Sequence, residues 1–173
     1  MKHLLKTTLA CALAGISGAG AQAAELTIQV TIPRIDATEY HRPYLAVWLE
    51  SADKKTVRDI TVWYEQKNAK NEEGKKYLKD LRQWWRVSGR SQGAPADGVS
   101  GATRAAGVQT IRVDSKQLAG LPAGDYELSI EAAREKGGRE LLRLPLAWPP
   151  TKAETQTVQG QHELGAVEVK VAP

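Results

Sequence analysis

Cysteine is nearly absent: Cys11 is the single one among 173 residues. It falls in an N-terminal segment with Lys2 and Lys6, an apolar run over residues 9–16 and the small residues Ala21-Gln22-Ala23. That order is the signature of a secretory signal peptide with an Ala-x-Ala cleavage site, so residues 1–23 are expected to be removed and maturation to begin at Ala24. A lipoprotein signal calls for a longer apolar region before Cys11 and usually a leucine where Thr8 stands, so free export is the expectation. Residues 24–173 hold no cysteine. Disulfides, thiolate metal sites and cysteine nucleophiles are thereby excluded together. Long apolar runs are missing too: the N-terminal one is too short to span a bilayer, and none further along approaches that length. The mature protein is therefore expected to be soluble, and periplasmic or secreted.

Excess charge of one sign is also missing. The formal net charge of +4 falls by the two charges of Lys2 and Lys6 to +2. A balance so near neutral gives no warrant for nucleic acid or an anionic membrane as partner. His41 and His162 are the only histidines past residue 23, and they are not at ligand spacing, so no dedicated metal site is expected. What remains, residues 24–173, is long enough for one domain with one sizeable core.

The pattern that is present is strand-like. Leu26, Ile28, Val30 and Ile32 alternate with polar residues, the period-two signal of a strand with one buried face, and Pro33 ends it. Over residues 44–49 both alternating sets are apolar, Leu45, Val47 and Leu49 on one side and Tyr44, Ala46 and Trp48 on the other. Such a strand is covered on both faces. Residues 57–64 alternate with Ile60, Val62 and Tyr64 on one face, and residues 108–113, 126–133, 141–148 and 167–171 add four more strands. Leu121-Pro122-Ala123-Gly124 and Lys136-Gly137-Gly138 are turn signals, the second joining a hairpin. Seven strands at this spacing predict an all-β fold, an antiparallel immunoglobulin- or fibronectin-like sandwich without that fold's disulfide.

Tyr77, Leu78, Leu81, Trp84 and Trp85 recur at three- and four-residue spacing and predict one short amphipathic helix over 75–87. Pro149-Pro150 reads as the start of a Thr- and Gln-rich connection. Residues 88–107 are a twenty-residue stretch of small residues with almost no bulky apolar group. Structureless loops of that length are uncommon in compact domains and are usually functional or disordered. Inside it runs Asp97-Gly98-Val99-Ser100-Gly101-Ala102-Thr103-Arg104.

This octapeptide resembles the Asp-x-x-Ser-Gly-Ala-Thr pattern around threonines that a FAD:protein FMN transferase esterifies with FMN. The likeness is local, because the FMN-bearing subunits of respiratory sodium pumps carry the motif in a different domain. Two longer blocks resemble a periplasmic family catalogued as domain of unknown function twenty-two seventy-one. One is Arg42-Pro43-Tyr44-Leu45-Ala46-Val47-Trp48-Leu49-Glu50. The other extends from Ser100 through Leu121-Pro122-Ala123-Gly124-Asp125-Tyr126 to Glu131-Ala132-Ala133-Arg134-Glu135. Members of that family occur beside flavin transferases and PepSY-type membrane proteins, which implies a setting of extracytoplasmic electron transfer. Residues 107–126 also resemble flagellar hook-capping immunoglobulin-like domains, though Val113-Asp114-Ser115 stands where those have Trp-Asp-Gly.

The resemblance implies a covalent flavoprotein electron carrier, not a stand-alone enzyme. Thr103 is the implied FMN acceptor, with Asp97, Ser100, Gly101, Ala102 and Arg104 as its local cofactor site. Gly101 and Ala102 let another protein's backbone approach, Gly98 permits a sharp turn, and Asp97 is a candidate to brace that turn or to orient the acceptor near the transferase's metal. Lys75, Lys76, Lys79, Arg82, Arg86, Arg90, Arg104 and Arg112 face only Asp80 and Asp97 in the same stretch. That local excess is a candidate support for the FMN phosphate, although such a run is more often a solvated face. Trp48, Trp84 and Trp85 are candidate ring-stacking partners whose default reading is core. Glu131, Arg134 and Glu135 read as surface charge pairs near the hairpin. Ser100, His41 and Asp97 lack a nucleophile elbow and a positioned base, so hydrolase chemistry is rejected. The partners implied are a FAD:protein FMN transferase and a PepSY-type membrane redox protein. The competing readings are a flavin-free binding or accessory module of a PepSY-type or metal-uptake system, and a purely structural adaptor.

Overall fold

Strand β2 (Tyr44–Ser51), apolar on both faces, has to be covered twice, and it is. The structure is a computed structural model that describes residues 24–66 and 73–173. The expected signal segment and most of the Lys- and Asn-rich turn after residue 64 lie outside the described residues.

The strands are β1 (Glu25–Ile32), β2, β3 (Val57–Tyr64), β4 (Ser100–Ala102), β5 (Gly107–Val113), β6 (Gly124–Ala133), β7 (Arg139–Trp148), β8 (Glu154–Gln159) and β9 (Ala166–Ala172). They form two sheets, ordered β5-β1-β9-β8 and β4-β3-β2-β6-β7. All neighbours pair antiparallel except β3 and β4, which run parallel. With β2, β3, β6 and β7 as strands C, C′, F and G, and β1 and β5 as B and E, the order is that of an immunoglobulin-like sandwich. The chain's last strand, β9, lies where the first strand of such domains lies. Tyr126 Oη donates to the Pro122 carbonyl at 2.8 Å, the tyrosine-corner contact of that architecture.

The alternating residues fill the space between the sheets. Leu26, Ile28, Val30 and Ile32 meet Leu45, Val47, Leu49, Leu128, Ile130, Val167 and Val169 there. Each full burial of such a side chain contributes about 1.5–3 kcal/mol relative to exposure. The other face of β2 carries a second core, in which Tyr44, Ala46, Trp48, Val62 and Ala133 lie under Leu78, Leu81 and Trp84.

The sandwich predicted by the alternation is present, with corrections of detail. The register of β3 on β2 shifts between Val47 and Trp48, so that Val47 faces Thr61 and Trp48 faces Asp59. This bulge puts Ile60 in the inter-sheet core, away from Val62, and turns Asp59 toward the second core, where Trp84 Nε1 donates to it at 3.1 Å and Ser88 Oγ at 2.6 Å. The single helix expected over 75–87 is instead a broken helical run: α1 (Glu73–Lys76), a 3₁₀ turn (Tyr77–Asp80), α2 (Arg82–Trp84), a π turn (Trp85–Gly89) and α3 (Arg90–Gln92). The break falls at Leu81, whose ψ of 70° leaves the helical range. The amides of Gln83 and Trp84, freed by the break, donate to the Glu131 carboxylate on β6 at 3.1 and 2.8 Å.

Two strands were hidden in the sequence. The connection after Pro150 contains β8, an edge strand of mostly polar, exposed residues. Residues 88–107 are not structureless, since they begin in the helical run and include β4 at the edge of the larger sheet. After β5 the chain makes a last short helix, α4 (Ser115–Leu118), which Asp114 caps by accepting the Lys116 amide at 2.8 Å.

Candidate functional site

Strand β4 is what positions the motif. Ser100, Gly101 and Ala102 stand in parallel register with Val62, Trp63 and Tyr64. The Val62 amide donates to the Val99 carbonyl at 2.9 Å, and the Thr103 amide to the Tyr64 carbonyl at 3.2 Å. The backbone is thus fixed on both sides of the short strand. Upstream, the Val99 amide closes a turn onto the Ala96 carbonyl at 3.2 Å, with Gly98 at φ +82°. Nothing crowds the position a Cβ would take at Gly98, so glycine is there for its backbone angle alone.

Gly101 is glycine for the opposite reason. A Cβ there would lie 2.8 Å from Trp63 Cδ1 and 3.3 Å from its Nε1. Trp63 closes the inter-sheet core at this edge and is 2 % exposed, so it has no room to withdraw. Arg104 stands over the same indole, its guanidinium carbon 4.3 Å from the ring centroid. The cation therefore covers a tryptophan.

The remaining motif residues separate by role. The Ser100 hydroxyl reaches the Pro95 and Ala96 carbonyls at 3.1 and 3.2 Å and so secures the turn. Asp97 is exposed at the turn and makes no side-chain hydrogen bond with the described residues, so bracing the turn, one of its two candidate roles, is not observed. Ala102 is exposed and Thr103 half-buried. Of the six predicted site residues, Thr103 lines a cleft.

That cleft has a volume of about 490 Å³. It lies among the β1–β2 connection (Tyr40, His41, Arg42), the end of β3, the start of the helical run (Gly74, Tyr77) and Glu135 of the β6–β7 turn. Its size is within the roughly 300–1,000 Å³ of small-molecule sites. Tyr40 and Tyr77 are 39 % and 38 % exposed, while the other large apolar side chains among the described residues, Val108 apart, are covered. Tyr44 forms part of the wall and donates to the Gly74 carbonyl at 3.0 Å. Burial, with some help from the nearby Glu65 and Glu135 carboxylates, pushes its phenol up to about 12, so it stays a proton donor.

His41 bridges two carboxylates at the rim, 3.0 Å from Glu39 and 3.5 Å from Glu135. Lys136 binds Glu39 at 2.8 Å, and its hydrogen bond, ahead of that of His41, holds the Glu39 carboxyl below its ordinary range. Glu39 and Lys136 are exposed and His41 and Glu135 half-exposed, so solvent screens these pairs and they shape the rim rather than stabilise the fold. Arg42 is exposed, lines the cleft and makes no ion pair with the described residues. Three tyrosines, the Arg42 guanidinium, the His41 imidazole and the Thr103 hydroxyl share the cleft with the Glu65 and Glu135 carboxylates.

Several sequence candidates are placed elsewhere. Trp48 and Trp84 are fully buried in the second core and have no surface for a ligand, while Trp85 is half-buried, with its ring centroid 6.2 Å from that of Trp84. No cation of the run from Lys75 to Arg112 lines the cleft. Glu131, read as a surface charge, is buried, and the Arg134 side chain, read likewise, is largely covered. Glu131 accepts from Arg139 besides the two amides of the helical run, and Arg134 pairs with Glu163 at 3.0 Å, at 8 % and 4 % exposure. Tyr40, Arg42 and Tyr77 went unnoticed as a group in the sequence. Tyr77 was counted into an apolar helix stripe, and nothing but the fold joins it to Tyr40.

Among the described residues no helix is long and apolar enough to cross a membrane. No curated protein and no solved structure matches the chain. Residues 25–166 match a family described as "Predicted periplasmic protein (DUF2271)", and the chain belongs to that family.

Proposed function

We propose that this periplasmic protein carries FMN in phosphodiester linkage at Thr103 and relays electrons between a PepSY-type membrane redox protein and a second extracytoplasmic acceptor. It is a carrier, not a stand-alone enzyme. The observation that carries this reading is the place of Thr103: it directly follows the short edge strand of the larger sheet, half-exposed, on the wall of a cleft lined by tyrosines, Arg42, His41 and two glutamates. The neighbouring Gly101 and Ala102 add almost no bulk, and β4 is a three-residue strand with a single sheet neighbour. Lifting such a segment into another protein's active site breaks few hydrogen bonds.

In the transfer, the Thr103 oxygen forms a bond to the FMN phosphorus of FAD, the pyrophosphate P–O bond breaks, AMP leaves and the hydroxyl proton goes to the transferase. Exposed Asp97, not engaged in its own turn, is available to the transferase or its metal. A bound flavin supplies the redox chemistry, and attachment keeps it at high effective concentration where a diffusible cofactor would be lost.

Co-expression with a FAD:protein FMN transferase, read by intact mass and visible absorbance, tests the proposal. One FMN adduct is expected on the wild type, none on Thr103→Ala, and one again on Ser100→Ala. An unmodified wild type, or an adduct that survives Thr103→Ala, refutes the assignment.

A further inference from the structure

Among the described residues, three large apolar side chains are exposed by more than a third, and two of them, Tyr40 and Tyr77, line the cleft that Thr103 lines. They come from the β1–β2 connection and from the helical run, 37 positions apart by their residue numbers. Neither belongs to a core cluster, and the one ring contact recorded for them is the Arg134 guanidinium over Tyr40, 5.9 Å from the ring centroid. Arg42 adds a cation with no ion-pair partner among the described residues at the same wall.

The geometry points to this cleft as the seat of the flavin: the isoalloxazine lies against the rings of Tyr40 and Tyr77, and Arg42 binds the phosphodiester. This assignment rests on the Thr103 reading above and adds to it the residues that hold the ring. It also replaces the tryptophans and the basic run as flavin contacts, since Trp48 and Trp84 are buried and no cation of the run reaches the cleft. Aromatic faces suit a large planar ring that shifts charge on reduction, and a guanidinium suits a phosphodiester through paired N–H donors. The cleft's volume of about 490 Å³ accommodates one such group. Glu65 and Glu135 line the cleft as well, and His41 is already engaged with Glu135, so among the described residues Arg42 is the cation left for the phosphate.

The test uses the flavinylated full-length protein, with intact mass and flavin fluorescence measured on the same samples. Tyr40→Ala/Tyr77→Ala and Arg42→Gln change exposed side chains, so the fold and the Thr103 adduct are expected to persist in both. In the wild type, contact with the tyrosines quenches the flavin. In the double variant the balance between seated and free ring shifts about tenfold toward free, the scale of two lost aromatic contacts, and the fluorescence rises toward that of free FMN. The phosphorus resonance of the adduct moves in Arg42→Gln and stays in Lys79→Gln, whose position is outside the cleft. A wild-type adduct as bright as free FMN, or one equally quenched in the double variant, overturns the seat while leaving Thr103 intact. Absence of any adduct overturns both, so the mass reports on the Thr103 reading and the fluorescence on the seat.

Discussion

Gly101→Ala concentrates the packing argument at one atom. The new methyl would stand 2.8 Å from Trp63 Cδ1, closer than real Cβ contacts come, and the neighbour is a rigid ring in the inter-sheet core, not a flexible chain end. Overpacking of this kind costs about 1–3 kcal/mol. Replacing glycine by alanine offsets about 0.4–1 kcal/mol of this by narrowing the unfolded ensemble, because the φ of Gly101 is not in the left-handed region. The expected net loss is about 1–2 kcal/mol, or about 2–8 °C in Tm for a domain of this size. Thermal unfolding followed by tryptophan fluorescence and circular dichroism measures it, with Ala102→Ser at the exposed neighbouring position as a control expected near wild type. A second route of relief is local: β4 swings off the edge, Arg104 leaves the Trp63 ring, and the Val62 amide loses protection from hydrogen exchange as its bond to Val99 opens. A Gly101→Ala protein with wild-type Tm, unchanged tryptophan emission and unchanged Val62 protection would refute the close approach of β4 to Trp63.

Two further predictions concern carboxylates. Glu131→Ala strips the partner from Arg139 and from the Gln83 and Trp84 amides, and is expected to destabilise by about 3–5 kcal/mol in urea unfolding; a loss under 1 kcal/mol would contradict the buried network. Burial by itself raises the Glu140 carboxyl, but the amides of Gln161, His162 and Leu164 at 2.6, 3.0 and 2.8 Å together outweigh it and hold its pKa below the ordinary 4.5. A depressed folded value means stability that is complete above the unfolded pKa and lost as pH falls through the folded one. Glu140→Gln should therefore flatten the acid limb of stability below about pH 4.5 and leave its shape near neutrality alone. An unchanged acid limb would sink this reading.

Much of the fold was legible because it rests on local alternation. Strands β1, β2, β3, β5, β6, β7 and β9 each carry a period-two pattern, and the double apolar face of β2 announced a strand covered on both sides. What escaped had no such signal. Strand β8 pairs through its backbone with β9 while keeping polar side chains outward, and β4 is three small residues held by β3. Ile60 was misplaced because a bulge is a mismatch between two strands, invisible in either one alone. Glu131 and Arg134 looked like surface charges because nothing in the sequence shows that their partners sit in the helical run and at Glu163.

The motif follows the same division. Sequence alone determined its chemical character: a threonine after small residues, a glycine able to take a positive φ, and an exported chain whose described part belongs to a periplasmic family. Those properties belong to residue types and their order, so they need no fold. Tertiary structure alone decided that Thr103 opens on a cleft, that Gly101 is pressed against Trp63, and that Tyr40, Arg42 and Tyr77 share a wall with Thr103. These facts depend on segments distant in sequence meeting at one end of the larger sheet, and only side-chain packing across the fold fixes where they meet.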